Sequence, residues 1–287
     1  MRLSGHTTPF AVLGHPIGHS LSPVMHNASI ESLGMDAIYL AFDVEPSLLM
    51  ETLPAMRNLG FEGVNLTVPL KEVAYNGIDK LDDSARILGA VNTVQFLDDN
   101  TMVGHNTDGK GFLLSLKEDL DCTPEGLKVF MLGSGGAGRA VALTCAMNGA
   151  SSVMVTDIDD DRSAKLASEI NELAPGVTTA AVSSDAQKDA SLEADLIVQA
   201  SPVGMNPSDT PLLHADAFRN GQMLFDLVYM YPETGIMKLA SDAGAKTANG
   251  LGMLMHQGAY AFKIWTGKDA DTAVMRQALE NEVYKND

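Results

Sequence analysis

Short apolar runs, broken by glycine, proline and clustered polar residues, recur along the chain. Residues 10–13 are such a run and end at Gly14, which predicts a strand entering a loop. Residues 14–23 are rich in turn formers. A helical pattern covers 25–33 and stops at Gly34. Residues 37–44 predict a strand. Over 45–59, Leu48, Leu49, Leu53 and Met56 recur at helical spacing, although Pro54 predicts a kink or break. Residues 63–68 read as a strand ending at Pro69. Residues 90–96 and 101–105 read as strands around an Asp98-Asp99-Asn100 turn. This alternation predicts a small α/β domain.

The pattern turns helical over 109–120, with Phe112, Leu113, Leu116 and Leu120 in register. Pro124 and Gly126 precede a β run at 128–132. A second α/β series follows, with strands at 153–157, 195–200 and 224–228. Residues 253–265 and 270–284 read as two closing helices. No internal repeat or low-complexity tract is visible.

Composition narrows the function classes. Among 287 residues, 19 are Lys or Arg and 37 are Asp or Glu, a net charge of −18. That surface repels nucleic-acid phosphates and anionic membranes. The hydrophobic share of 45% suits a packed soluble protein. No apolar stretch reaches the roughly 18 residues of a membrane span. The segment Met1-Arg2-Leu3-Ser4-Gly5-His6 lacks the build of a signal peptide. Cys122 and Cys145 form no Cys-x-x-Cys, so a reducing cytoplasmic setting is expected.

Gly133-Ser134-Gly135-Gly136-Ala137-Gly138 matches G-x-G-x-x-G between a β run and a helical run. Gly133 allows the tight turn, Gly135 a close approach of pyrophosphate, and Gly138 close packing of helix on strand. The amides opening the helix suit the pyrophosphate. The bland alternative is a structural turn without cofactor. Asp157 ends the next predicted strand, where a carboxylate can accept both adenosine ribose hydroxyls and repel a 2′-phosphate. Asp159, Asp160 and Asp161 add acid, and no base follows until Arg162. NAD is therefore favoured over NADP, unless Arg162 folds back over the phosphate. Asp157 at the strand end is the specific residue, whereas Asp159 to Asp161 read as a solvated run.

Five polar pieces fall near strand ends or a helix edge: His19-Ser20-Leu21-Ser22-Pro23, Asn65 to Lys71, Ala90-Val91-Asn92-Thr93, Asn106-Thr107-Asp108 and Gln257. Together they suggest recognition of a polyol, with one lysine and one aspartate for proton work. Singly, each has a plain alternative. Ser22 and Asp108 suit helix N-caps, Asn92 and Asn106 suit turns, and Lys71 suits the surface.

In combination these pieces resemble the shikimate dehydrogenase family over nearly the whole chain. His19 to Pro23 resembles its shikimate-carboxylate loop. Asn65 to Lys71 is similar to its Asn-x-Thr-x-Pro-x-Lys segment, with Lys71 in the catalytic lysine's place. Gly89 to Thr93 and Asn106 to Gly109 resemble two further substrate segments, with Asp108 as the lysine's partner. Asp226 to Pro232 resembles Asp-x-x-Tyr-x-Pro, and Gly250 to Leu254 with Gln257 resembles the closing segment.

The resemblance implies an α/β protein of two domains with a cleft between them. Residues 1–108 and 252–287 would form the substrate domain, around a mostly parallel sheet. Residues 109–251 would form a Rossmann dinucleotide-binding domain. It implies reversible, nicotinamide-dependent reduction of 3-dehydroshikimate to shikimate, a step toward chorismate and the aromatic amino acids. Ser20, Ser22 and Tyr229 would hold the substrate carboxylate, and Thr67, Lys71, Asn92, Asp108 and Gln257 its hydroxyls. Asp83 would lie near the cofactor, and Leu227 and Gly250 beside the nicotinamide. NADP is the family default; Asp157-Ile158-Asp159 stands where NADP-using members carry a basic segment.

Two other readings stay in view: an NAD-dependent quinate/shikimate dehydrogenase of catabolism, and a non-catalytic NAD-binding sensor on the same fold. His15, His19 and His26 raise a metal site, but no convergent Cys or Glu pattern accompanies them and no metal is expected. The methionines, His256 and Trp265 read mainly as packing residues. Monomer and homodimer both fit the acidic surface.

Overall fold

The computed structural model describes residues 3–284. Met1 and Arg2 of the amino-terminal segment, and residues 285–287 of the expected substrate domain, lie outside that range. The chain divides into two compact units, residues 1–111 with 254–287 and residues 112–253.

The first unit opens with strand β1 (Thr8–Gly14), helix α1 (Ser22–Ser32), strand β2 (Ala37–Asp43), helix α2 (Leu49–Asn58) and strand β3 (Gly63–Leu66). Helix α3 (Leu70–Gly77), strand β4 (Lys80–Leu81), helix α4 (Asp83–Leu88), strand β5 (Thr93–Phe96), strand β6 (Met102–His105) and helix α5 (Asp108–Leu120) follow. Its six-stranded sheet runs β2-β1-β3-β5-β6-β4. Only β5 runs antiparallel to its neighbours. Period-two alternation puts Phe10 and Val12 into one core layer and Ala11 and Leu13 into the other.

Pro54 does not break α2. A 3-10 turn at Pro46–Leu48 leads in, and Leu49, Leu53 and Met56 are buried. Pro54 is the sixth of the ten helix residues and costs it one backbone bond. Burying the Leu53 and Met56 side chains, at about 1.5–3 kcal/mol each, offsets a proline penalty of about 3 kcal/mol. Helices α3 and α4 are short, eight and six residues, and the sequence reading does not place them.

The second unit contains strand β7 (Lys128–Leu132), helix α6 (Gly136–Met147), strand β8 (Ser152–Thr156), helix α7 (Asp160–Leu173), strand β9 (Thr178–Ala181) and helix α8 (Gln187–Glu193). Strand β10 (Leu196–Gln199), strand β11 (Met223–Asp226), helix α9 (Gly235–Asp242) and strand β12 (Lys246–Asn249) complete it. Its six-stranded sheet has the order β12-β11-β10-β7-β8-β9. Every pairing in it is parallel, the doubly wound pattern of a Rossmann fold.

Helices α10 (Leu251–Thr266) and α11 (Thr272–Val283) follow, and the chain re-enters the first unit within α10. There Phe262 and Trp265 pack with Phe10 and Tyr39. Trp265 Nε1 donates to the Val94 carbonyl at 3.0 Å. A Cβ on Gly63 would lie 2.1 Å from that indole nitrogen, so only glycine fits beneath the ring.

Candidate active site

In the first unit three strand ends deliver the polar residues. Strand β3 is buried along its length and hands the chain through Thr67 to α3, whose second residue is Lys71. Val91 N donates to the Lys71 carbonyl at 3.0 Å, and Leu66 N to the Asn92 carbonyl at 2.8 Å. Strand β6 ends at His105, and Asp108 then opens α5. These connections bring Lys71 Nζ to 2.6 Å from Asp108 Oδ2, with the two side chains 27% and 11% exposed. The pair is thus reachable from solvent, with most of its surface covered. A carboxylate in the first turn of a helix also meets the positive end of the helix dipole.

Asn92 organises the rest. Its Nδ2 donates to Asp108 Oδ1 at 2.8 Å and to Thr107 Oγ1 at 2.9 Å. Its Oδ1 accepts from Thr107 N at 2.9 Å and from Thr93 Oγ1 at 2.9 Å. Gln257 Oε1 lies 3.4 Å from Thr107 Oγ1. A Cβ on Gly111 would sit 2.7 Å from Gln257 N, so a bare glycine lets α10 reach this cluster. Asn106 behaves as a turn residue, its Oδ1 accepting from Asp108 N at 3.0 Å. Ser22 is buried as the first residue of α1 and does not cap it; Ser20 Oγ accepts from Ser22 N at 3.4 Å. Thr67 is half-buried.

Tyr229 lies in the second unit. It is half-buried, and burial raises its phenol above the usual value. Its loop is held from both sides. Asp226 accepts from Thr234 Oγ1 at 2.6 Å and from Val228 N at 3.0 Å. Asn249 Nδ2 donates to the Tyr231 carbonyl at 3.1 Å. A Cβ on Gly250 would fall 2.2 Å from the Leu227 carbonyl oxygen, so Leu227 and Gly250 touch through their backbones.

The glycine loop joins β7 to α6. Gly133 has φ +104°, a conformation that favours glycine. A Cβ on Gly138 would meet the Gly133 oxygen at 2.2 Å, whereas Gly135 and Gly136 face open space. Gly135 caps α6 without a side-chain bond. Free amides over an open glycine cradle fit a dinucleotide pyrophosphate. Ala137 follows in the first turn.

Asp157 stands just past β8. Its Oδ2 accepts from Ser134 N at 2.7 Å and Ser134 Oγ at 2.8 Å, and its Oδ1 from Asp159 N at 3.1 Å. Burial pushes this carboxyl up, but those bonds and Arg162 outweigh it and hold it below the usual range. A carboxylate offers about four lone-pair sites. Oδ1 therefore has room for one ribose hydroxyl, not the two its position in the sequence suggests. Ser134 is turned toward Asp157. Arg162 lies 3.9 Å from Asp157 Oδ1 and 3.8 Å from Asp159 Oδ2. Asp159 caps α7, and Asp160 and Asp161 are acids of its first turn.

Asp83 is exposed and pairs with Arg86 at 2.6 Å. Its neighbour Asp82 is the structured acid: it caps α4 and bonds His105 Nδ1 at 2.7 Å. A cap residue ahead of a helix was the available signal, hidden because α4 is so short. His15 pairs with Asp43 on the surface, and His26 is buried against Tyr39. Among the described residues, no group of three His, Cys, Asp or Glu is arranged to hold a metal. No helix among them is long and apolar enough to cross a membrane.

A family model described as the shikimate dehydrogenase substrate binding domain matches residues 12–94. One described as the shikimate 5'-dehydrogenase C-terminal domain matches 250–280. A model of coenzyme F420-dependent NADP oxidoreductases matches 128–227. A shikimate dehydrogenase (NADP(+)) of Methanopyrus kandleri is 42% identical, with 96% of each chain covered. A shikimate dehydrogenase solved in complex with NADP+ superposes with TM-score 0.91 at 35% identity, covering 98% of both chains. Shikimate 5-dehydrogenase of Listeria monocytogenes, solved with shikimate and NAD, gives 0.90 at 33% identity, covering 97% of this chain and 98% of that one. A two-domain α/β oxidoreductase with a Rossmann unit is the class these features define. The chain belongs to the shikimate dehydrogenase family.

Proposed function

We propose that this protein interconverts 3-dehydroshikimate and shikimate, with Lys71 and Asp108 managing the proton and with NAD favoured over NADP. The observation that carries the proton assignment is the 2.6 Å pair of Lys71 Nζ and Asp108 Oδ2 inside a cluster of amides and hydroxyls. A bound nicotinamide supplies or receives the hydride. Gly133, Gly135, Gly136 and the opening of α6 would hold its pyrophosphate, and Asp157 one ribose hydroxyl.

In the reducing direction the Lys71 ammonium donates a hydrogen bond to the substrate carbonyl and gives up a proton as the alkoxide forms. In the oxidising direction neutral Lys71 takes that proton back. Asp108 restrains the lysine through Oδ2, while Asn92 fixes its other oxygen. Asn92, Thr67 and Gln257 would read the ring hydroxyls, and Ser20, Ser22 and Tyr229 the carboxylate. Leu227 and Gly250 would border the nicotinamide.

The NAD preference rests on charge. A 2′-phosphate placed about 5 Å from Asp157 would feel roughly 3 kcal/mol of repulsion per charge pair at an effective dielectric near 20. Arg162, already shared between Asp157 and Asp159, offsets part of this. The deciding assay is kcat/KM for shikimate and quinate with NAD and NADP. Higher values with shikimate and NAD support the proposal. A preference for NADP overturns the reading of Asp157, and a preference for quinate moves the protein to the catabolic branch. No turnover with any pair leaves a sensor.

A further inference from the structure

We infer that His105, Asp82, Ser84 and Asn106 form a positioning relay that holds Asp108 on line with Lys71. The inference rests on the reading of Lys71 and Asp108 as the proton-handling pair.

The relay is continuous. His105 Nδ1 lies 2.7 Å from Asp82 Oδ2. Asp82 Oδ1 accepts from Ser84 Oγ at 2.6 Å and from Ala85 N at 3.0 Å. Ser84 Oγ in turn accepts from Asn106 N at 2.8 Å. Asn106 Nδ2 donates to the Ala90 carbonyl at 2.9 Å, and its Oδ1 accepts from Asp108 N. With Thr107 N bonded to Asn92, every residue from 105 to 108 is anchored through a side chain. This stretch is the bend from β6 into α5, where a loose backbone would swing Asp108 off the lysine.

Capping α4 needs only Oδ1 of Asp82. Its second oxygen is spent on a different segment, at the residue that begins the bend. Burial would raise the Asp82 carboxyl, but the bonds from His105, Ser84 and Ala85 outweigh it and bring it to about 2. Asp82 is therefore an ionised acceptor, and His105 Nδ1 donates to it. Among the described residues the other ring nitrogen, Nε2, is buried without a hydrogen-bond partner, so the Asp82 bond is the ring's polar anchor.

Asp82→Asn separates cap from relay. Asparagine caps as well as aspartate, and its Oδ1 still serves Ser84 and Ala85. Its amide then faces His105 Nδ1 and drives the ring proton toward the partnerless Nε2. The expected result is a kcat lowered by roughly tenfold or more, because small misplacements of reacting groups are costly. KM for shikimate and the melting temperature should stay near the parent's. The solvent deuterium isotope effect on kcat should rise, since proton transfer is the slowed step; a mere loss of folded enzyme leaves that effect unchanged. Ser84→Ala should repeat the pattern. Lys71→Ala is measured beside them. If it is inactive while Asp82→Asn and Ser84→Ala keep the parent's kcat and isotope effect, the relay alone is overturned. If it retains kcat, the proton-pair reading fails and the relay falls with it.

Discussion

The two polar centres of this molecule are built in opposite ways. In the first unit the proposed chemistry rests on side chains, each bonded to another: Lys71 to Asp108, Asp108 to Asn92, Asn92 to Thr107. In the second unit the decisive feature is the lack of side chains at Gly133, Gly135 and Gly138, with Asp157 pinning the loop through Ser134. Removing atoms should therefore damage the first centre, and adding atoms the second.

The largest test of that contrast is Lys71→Ala beside Gly138→Ala. The first should lower kcat roughly 10²–10⁴-fold, with a smaller change in KM for the dinucleotide. The second places a methyl 2.2 Å from a carbonyl oxygen and should raise the dinucleotide KM, at about 1–3 kcal/mol of overpacking. Initial-rate kinetics with each substrate varied in turn separate them. Equal effects on both parameters would erase the contrast.

The units also bury ionisable groups of opposite acid response. His26 is fully buried, neither ring nitrogen has a hydrogen-bond partner among the described residues, and desolvation lowers it from 6.5 to about 3. A depressed value means stability present above pH 6.5 and lost as pH falls toward 3, on the order of 5 kcal/mol when complete. His26→Phe should keep its ring packing against Tyr39 and flatten the fall in melting temperature between pH 6.5 and 4. A parallel curve for parent and variant would remove His26 as the cause.

Asp226 works the other way and more weakly. Burial raises it to about 6, against the bonds from Thr234 and Val228. Its contribution is full below pH 3.8 and is lost as pH rises through 6, at about 3 kcal/mol. Asp226→Asn should melt above the parent at pH 8 and converge with it by pH 4. A gap that does not change with pH would assign the effect to packing.

Much of the fold was legible because its strands are short apolar runs bounded by glycine or proline. The glycine loop was legible because its parts are contiguous: strand, turn, helix and the acid after the next strand all lie within one βαβ stretch. Helix α3 was not, because only Leu70 and Ala74 of it are buried. Helix α4 has just six residues, and its cap Asp82 looks like one acid among many. The first centre is opaque for a different reason. Lys71 and Asp108 are 37 positions apart and meet only because β3, β5 and β6 lie side by side. No local period encodes that meeting; the polar pieces suggest one lysine and one aspartate for proton work, and resemblance to a family makes them partners.

The first unit is discontinuous in sequence, whereas the second runs unbroken from 112 to 253. During synthesis the strands that will carry Lys71 and Asp108 emerge early, yet Phe10 and Tyr39 lack the cover of Phe262 and Trp265 until the last few dozen residues are made. At translation speeds of about 5–20 residues per second, that wait lasts roughly ten seconds or longer. The second unit can close first, and the unit that holds Lys71 and Asp108 is finished later, when Gln257 arrives beside Gly111.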